Sequence, residues 1–492
     1  MKESEWFVDL RKKRLFIYAV VALFIVLTLP SFIRFYHSND SLIGSESYYH
    51  FRAARELLKH GSYNFFSPPQ DIQDISYSPR AYSFNPYQYL LVYTSKILSL
   101  STASRIVPFL LGVITLLLFN LILRNFVSER YKRHIALLLL VTSPAFIYTF
   151  TVSNPHSAAI TLSLLGFYLF LKKSRIEFIL SVFCFVIVSL FSLFNTVLVL
   201  LVLLAYILTK KAQHNRFFVV LFIMAIFSFA RKFEFFYNYT YTPYIDLVGN
   251  LFSDLGGVIG FGIFSIMLAI YCVVTDWDEK SGFVYFFLIS LLLLLSVSVI
   301  GNFANIYLMF FVSIAAGVGF VRLYESEWSV QFMKSLALLV LVCGLLFSTF
   351  SFITRLSSIE PDSEFIASLD WLGSNTFKDG FVLSHYDNGY LISTIARNPV
   401  LVDSLSAYGY DQKFLYKVQD TLFYSRKIKD TKQLLDAYKI KYIFITPEMT
   451  SGLVWTRPDE GMLFLLKHSS VFNRVYNSSG IEIYEVTNKT VE

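Results

Sequence analysis

Long apolar runs alternate with short polar segments along most of the chain. They recur from Leu15 to Phe352, and most are about as long as the 17–25 residues that a helix needs to cross a bilayer, although several are shorter. This pattern predicts a polytopic helical membrane protein with about eleven spans. The predicted spans are 15–33, 106–123, 135–151, 157–171, 176–193, 195–209, 217–230, 257–274, 282–300, 305–321 and 335–353.

The pattern changes after the last apolar run. Short runs rich in β-branched and aromatic residues at 380–384, 399–403, 441–446 and 481–486 alternate with helical stretches, which predicts an α/β domain. We therefore expect a transmembrane domain at 1–354, with a large outer loop at 35–105, and a C-terminal soluble domain at 355–492.

Composition supports a membrane protein and excludes several other classes. The chain is 55% hydrophobic and 16% charged, against about 25% charged residues in soluble domains. The net charge of +7 is explained by basic connections between spans, so no nucleic acid is expected as a partner. Cys184, Cys272 and Cys343 all lie in apolar runs, which excludes a disulfide framework and a cysteine-based zinc site.

Charge also predicts the orientation. Four basic residues, Arg11 to Arg14, precede the first run, which is expected to be a retained signal anchor with a cytoplasmic N-terminus. Most of the basic connections then fall on the cytoplasmic side, if 85–100 is an interfacial helix and not a span. The C-terminal domain is expected outside the cell membrane. The Asn-x-Ser/Thr sequons also fall outside, at Asn39, Asn238, Asn477 and Asn488.

The segment "GSESYYHFRAARELLKHG", which spans 44–61, follows the first span. Tyr48, Phe51, Ala54 and Leu58 recur at helical spacing. Glu46 would then lie at the start of the helix, where a carboxylate is stabilised by the helix dipole. A charged cap is one interpretation. The other is a carboxylate that faces a phosphate-bearing lipid through a divalent metal.

Three stretches resemble the catalytic subunits of oligosaccharyltransferases, which belong to the GT-C superfamily of membrane glycosyltransferases. "ESYYHFR" is similar to the D-P-Y-x-x-x-R of their first outer loop. "SPAFIYTFTVSNPHSAAI" resembles their second outer loop. "SLDWLGSNTFKDGFVLSHYDNGY" resembles the start of their C-terminal domain, where the signature WWDYG occurs.

The resemblance implies roles for residues in the first and third stretches. Glu46 stands at the catalytic Asp position. Asp387 would accept a hydrogen bond from the acceptor, and Tyr386 and His385 would keep part of the acceptor pocket. The acceptor would be a polypeptide, through the Asn of a sequon, or a glycan.

A lipid-linked donor adds a second requirement, because its phosphate is the leaving group and needs positive charge nearby. Arg52 and Arg55 are the candidates for the donor phosphate. A divalent cation, Mn²⁺ or Mg²⁺, is expected as cofactor, with Glu46 and His156 as its candidate ligands.

The sequence also departs from the family pattern. The acidic pair of the second loop is replaced by Asn154 and His156, and Asn302 stands where an Arg often occurs. The two Trp of WWDYG are replaced by His385 and Tyr386. Acids of another outer loop could compensate for the lost pair; these are Glu234, Asp246 and Asp254.

These observations favour a membrane glycosyltransferase that uses a polyprenyl- or dolichyl-linked donor. The missing acidic pair leaves a second hypothesis, an inactive relative that binds lipid-linked glycan or partner proteins. A transporter is the third hypothesis. Against it, the centres of the predicted spans carry no clear charged residue, where a substrate pathway usually has one.

Overall fold

The computed structural model describes residues 2–60, 85–172, 174–209, 214–229, 249, 251–275, 282–298, 302–377, 379–403 and 412–487. Contacts divide the chain into two units. We call the first the helical unit; it comprises Met1–His37, Asn85–Lys232 and Thr242–Ser358. The second, the α/β unit, comprises Ser38–Phe84, Phe233–Tyr241 and Ile359–Glu492.

The helical unit is built from apolar helices. They are α1 (Lys2–Tyr36), α3 (Pro86–Ser95), α4 (Leu100–Leu123), α5 (Arg130–Val141), α6 (Pro144–Thr151), α7 (Pro155–Phe170), α8 (Arg175–Phe191), α9 (Leu193–Thr209), α10 (His214–Phe229), α11 (Ile263–Thr275), α12 (Gly282–Ser298), α13 (Asn305–Glu325) and α14 (Gln331–Ser357). Close helix packing relies on small residues. Gly317 of α13, for example, has room for no side chain because the backbone of Ala136 in α5 would lie 2.8 Å from its Cβ.

The predicted membrane helices are present, but their number of eleven is not confirmed. Within the described ranges, four helices are long and apolar enough to span a bilayer: Arg14–Tyr36, Leu100–Leu123, Asn305–Glu325 and Gln331–Ser357. The pair Arg130–Val141 and Pro144–Thr151, bent by 61°, is one further candidate. The shorter apolar helices are Pro155–Phe170, Leu193–Thr209, Asn215–Ser228, Ile263–Thr275 and Val284–Ser298.

The α/β unit contains a four-stranded sheet in the order β1-β2-β4-β3. Its strands are β1 (Phe381–Leu383), β2 (Ile440–Ile445), β3 (Phe472–Ser478) and β4 (Ile481–Val486). β1 and β2 are parallel, whereas β4 is antiparallel to both of its neighbours. Its helices are α2 (Ser45–His60), α15 (Ser363–Asn375), the short α16 (Gly389–Leu391), α17 (Gln412–Tyr424), α18 (Ile428–Ala437) and α19 (Met462–His468).

The residues just after the first span contribute to the core of the α/β unit. Leu42 and Tyr48 are buried with Phe365 of α15 and with Phe444 and Ile483 of the sheet. The sequence predicted that this segment belongs to the outer loop 35–105 of the transmembrane domain. Those domain limits stay a prediction. The core nevertheless fixes α2 to the sheet domain.

Candidate active site

The predicted helix at 44–61 is present as α2, and hydrogen bonds fix its first turns. The backbone N–H of Leu42 donates to the Tyr48 hydroxyl at 3.1 Å, and the Thr394 hydroxyl donates to the Tyr48 carbonyl at 3.5 Å. Glu46 lies in the first turn and is half-buried. The start of the helix therefore holds the carboxylate at a defined place in the α/β unit.

α2 packs directly against the chain that follows Asp387. The rings of Tyr49 and Tyr390 lie 5.4 Å apart. Both terminal nitrogens of Arg55 donate to the Thr394 carbonyl at 3.3 Å. Two stretches that are far apart in sequence are thus neighbours within one unit.

The two arginines of α2 have different environments. Arg55 is held by the Thr394 carbonyl, and its Nε lies 3.9 Å from a carboxylate oxygen of Glu56. Arg52 is only 6% exposed, and its buried Nε has no hydrogen-bond partner among the described residues. A buried charge without a partner is costly. Arg52 is therefore the better candidate for an anionic ligand, and Arg55 has a structural role.

The segment 385–390 follows the end of β1. Nδ1 of His385 lies 3.3 Å from a carboxylate oxygen of Asp387, and the His385 and Tyr386 rings are 4.0 Å apart. The imidazole is buried, whereas the Asp387 side chain is 55% exposed. Nδ1 of the imidazole accepts from the Asp387 backbone N–H at 3.5 Å, and the nearby Asp387 carboxylate remains open to a ligand.

Gly389 is required by close packing and not by its backbone conformation. Its φ of −57° is ordinary, and Tyr386–Asn388 form a 3₁₀ turn. A Cβ at Gly389 would overlap Asp403 and lie 2.7 Å from the Val402 carbonyl oxygen.

The loops that follow the parallel strands β1 and β2 meet beside the segment 385–390. The Met449 sulfur, after β2, accepts from Ser384 at 3.7 Å and from Asn388 at 3.8 Å, both after β1.

Further acids lie around this segment. Burial raises the pKa of Glu360 to about 8, with further contributions from Glu448, Asp362 and Asp387. Burial, followed by Asp387 and Asp420, raises the pKa of Tyr386.

The raised pKa of Glu360 predicts a pH dependence of stability. The folded protein binds this proton more tightly than the unfolded chain, whose Glu has a pKa near 4.5. The contribution of Glu360 is therefore complete below pH 4.5 and is lost as pH rises through about 8. We expect Glu360→Gln to reduce the fall in melting temperature over this window, as measured by thermal unfolding in detergent. An unchanged pH profile would contradict the assignment.

Asn154 and His156, at the positions of the missing acids, belong to the helical unit. Asn154 is fully buried and caps α7, because its Oδ1 accepts from the Ser157 N–H at 3.1 Å. His156 stacks on Phe303 with ring centroids 4.3 Å apart, and its buried Nδ1 has no hydrogen-bond partner. Asn154 is thus a helix cap, and His156 retains one nitrogen for a ligand.

Of the three outer-loop acids that could compensate for the lost pair, the structure describes only Asp254. Asp254 accepts from the N–H of Ile263 at 2.7 Å and from the Ser348 hydroxyl at 2.6 Å, so it caps α11. Glu234 and Asp246 lie outside the described residues. Within the described ranges, no three His, Cys, Asp or Glu side chains come together as a metal site. Glu46 and His156 belong to different units, and their shared metal stays a prediction.

The helical unit also contains a partly open apolar cavity of about 70 Å³. Aromatic side chains of α4, α7, α12 and α13 line it, among them Phe119, Phe167 and Phe286. The hydroxyls of Ser163 and Tyr307, which also line it, bond to each other at 3.1 Å. The cavity suits a hydrocarbon and not a polar solute.

The sequence did not identify Glu360 and Glu448. A structural rule could have found Glu448, since it follows β2 as His385 and Asp387 follow β1, and the carboxyl ends of adjacent parallel strands share one edge. Glu360 had no comparable signal, because only the tertiary fold brings it near Asp387.

Solved structures share this architecture. The Archaeoglobus fulgidus oligosaccharyltransferase, tethered with an acceptor peptide containing the NVT sequon, is 12% identical with a TM-score of 0.65, over 98% of this chain and 75% of that one. Its complex with Zn and sulfate is 14% identical with a TM-score of 0.61, over 96% and 73%. ArnT from Cupriavidus metallidurans, bound to undecaprenyl phosphate, is 12% identical with a TM-score of 0.56, over 98% of both chains.

No family model matches the chain, and no curated protein matches it in sequence. The structural matches confirm the predicted fold. The chain shares their fold, a set of apolar membrane helices with a C-terminal α/β domain. At these identities the likeness establishes the fold, and function must be argued from the site.

Proposed function

We propose that the chain is a membrane glycosyltransferase that moves a sugar or oligosaccharide from a polyprenyl- or dolichyl-linked donor to an acceptor outside the cell membrane. One observation carries the proposal. α2, which bears Glu46 and Arg52, packs against the chain directly after Asp387 in a single unit. A candidate group for the donor phosphate, another for the nucleophile and a third for the acceptor therefore share one domain.

The residues have distinct proposed roles. Arg52 supplies fixed positive charge to the departing phosphate, and in a water-poor site such charge lowers the barrier. Glu46 orients or deprotonates the nucleophile. Asp387, whose backbone N–H donates to His385 Nδ1, accepts a hydrogen bond from a hydroxyl of the acceptor through its carboxylate. Tyr386 would pack beside that group.

The predicted Mn²⁺ or Mg²⁺ stays a prediction, because its candidate ligands Glu46 and His156 belong to different units. Such cations use carboxylates together with phosphate oxygens. Asn154 carries no negative charge, and its Oδ1 already accepts a hydrogen bond as the cap of α7. We therefore derive no step through a metal, and the Zn and sulfate complex concerns the archaeal relative.

Other observations support the same proposal. The apolar cavity in the helical unit has the chemistry of a hydrocarbon chain, as expected for a partner that is a lipid. The solved neighbours include one protein tethered with an acceptor peptide and one bound to undecaprenyl phosphate. An outer location of the α/β unit and a cytoplasmic N-terminus are part of the proposal.

The second candidate function is binding without turnover. It is favoured by the replacement of the acidic pair, because Asn154 serves as a cap and not as a ligand. Such a protein would retain affinity for the lipid-linked glycan and would leave the donor intact.

Asp387→Ala tests the acceptor role. We expect the KM for a sequon peptide to rise about tenfold or more, because each tenfold corresponds to about 1.4 kcal/mol and a charge-assisted hydrogen bond is lost. Initial transfer rates from a lipid-extract donor, with Mn²⁺ or with a chelator, measure this change. The control is Asp420→Ala, because Asp420 forms no hydrogen bond with His385 among the described residues. An unchanged KM in Asp387→Ala, or transfer to no acceptor by the wild type, would contradict the proposal.

A further inference from the structure

Two of the four sequons lie among the described residues, and their environments differ. Both belong to the α/β unit. Asn39 is only 9% exposed, and its amide nitrogen donates to the Pro361 carbonyl at 3.1 Å. Its Oδ1 accepts from the Ser41 N–H at 3.1 Å, and the Ser41 hydroxyl donates to the same Pro361 carbonyl at 2.9 Å. A glycan on Asn39 would break these buried hydrogen bonds to the Pro361 carbonyl.

Asn477 has the opposite environment. It is exposed on β3, and its amide makes no hydrogen bond within the described part of the chain. The preceding residue, Tyr476, packs its ring 5.1 Å from Trp371 of α15. Because adjacent side chains of a strand point to opposite faces, Asn477 points away from α15.

The neighbouring acid does not engage this amide. Glu482 is the residue opposite Asn477 on β4. One of its carboxylate oxygens accepts from Arg474 at 2.9 Å, and the other accepts from the Tyr484 hydroxyl at 2.6 Å. Glu482 therefore leaves the Asn477 amide nitrogen available as a nucleophile.

The hydroxyl residue of this sequon lies in a tight turn. Ser479 and Gly480, with φ of 51° and 81°, form the two-residue connection between β3 and β4. Positive φ at both positions is typical of a type I′ hairpin turn. β3 is also the last strand in the sheet order, so a group attached to it has open space beside the sheet.

We propose that Asn477 carries an N-linked glycan. In the reaction, Asn477 Nδ2 forms a bond to the anomeric carbon of a lipid-linked oligosaccharide. The bond from that carbon to a phosphate oxygen breaks, the phosphate retains the electron pair, and one amide proton passes to a base. The inference rests on the proposed function in two respects. The α/β unit must lie outside the cell membrane, and the catalyst is a second copy of this chain.

The test is glycopeptide mass spectrometry of the full chain, purified from membranes of cells that glycosylate other exported sequons. We expect the Asn477 peptide to carry the glycan mass and the Asn39 peptide to be unmodified. Asn477→Gln and Ser479→Gly should both abolish the modification, since glycine adopts the positive φ of Ser479 without strain. Ser478→Ala, at the middle sequon position, should keep it. An unmodified Asn477 in the wild type, or a modified Asn39, would overturn the inference.

A second arm separates this inference from the proposed function. Cells that contain only a Glu46→Gln copy should leave Asn477 unmodified. A glycan that persists at Asn477 in those cells would uphold the modification site and contradict the transferase role of this chain.

Discussion

Arg52→Met should stabilise the protein and at the same time lower glycosyl transfer by about 10²–10³-fold, the usual effect of removing one preorganised charge-stabilising donor. Arg52 is buried, and Nε of its guanidinium has no hydrogen-bond partner among the described residues. Replacing such a charge with an apolar side chain of similar length is expected to raise stability by about 1 kcal/mol or more. Thermal unfolding in detergent and initial rates with a lipid-linked donor measure the two effects.

Arg55→Met is the matched control on the same helix. Its two hydrogen bonds to the Thr394 carbonyl are lost, so we expect a destabilisation of about 1–3 kcal/mol. Its effect on transfer should be smaller than that of Arg52→Met. A lower melting temperature for Arg52→Met, with transfer unchanged, would show that Arg52 is structural and would remove it from the proposed site.

Local patterns in the sequence predicted much of the fold. The helical spacing of Tyr48, Phe51 and Leu58 predicted α2, and β-rich runs predicted β1, β2 and β4. Both kinds of pattern arise from the alternation of buried and exposed side chains along one element, which the sequence records directly. The resemblance to the GT-C superfamily, carried by three short stretches, is confirmed at the level of fold.

Edge elements were the hardest to predict. β3 was missed, because this outermost strand exposes Asn473, Arg474 and Asn477 and has little apolar alternation. The run at 399–403 was predicted as a strand, but only Val400 forms an isolated bridge to Val382. Its apolar residues are buried for another reason, since they pack in the cores of the α/β unit.

The candidate site depended on contacts between distant residues. The sequence indicated Glu46, Arg52 and Asp387 one at a time, but no local pattern shows that Tyr49 lies beside Tyr390. The same holds for Glu360, whose pKa depends on Glu448. The sequence also could not separate Arg52 from Arg55, because only their partners distinguish them.

Glu46→Gln should lower transfer by about 10²–10⁴-fold, the range for loss of a positioned acid–base group. Glutamine keeps the shape of the side chain and removes the negative charge, so the nucleophile loses its base or its orienting group. Stability should change little, because a charge in the first turn of a helix contributes about 0.3–1 kcal/mol. The initial transfer rate at saturating donor measures the effect, and thermal unfolding checks the fold.

The central claim is that α2 carries the catalytic carboxylate of a glycosyltransferase, and one comparison tests it most directly. Glu56→Gln is the matched variant, since Glu56 lies on the same helix and bonds to Lys59 at 3.2 Å. Transfer from a lipid-linked donor to a sequon peptide would be measured for the wild type and both variants in one membrane preparation. The account predicts transfer by the wild type and by Glu56→Gln, and almost none by Glu46→Gln. Equal transfer by Glu46→Gln and the wild type, or donor binding by the wild type without transfer, would contradict it.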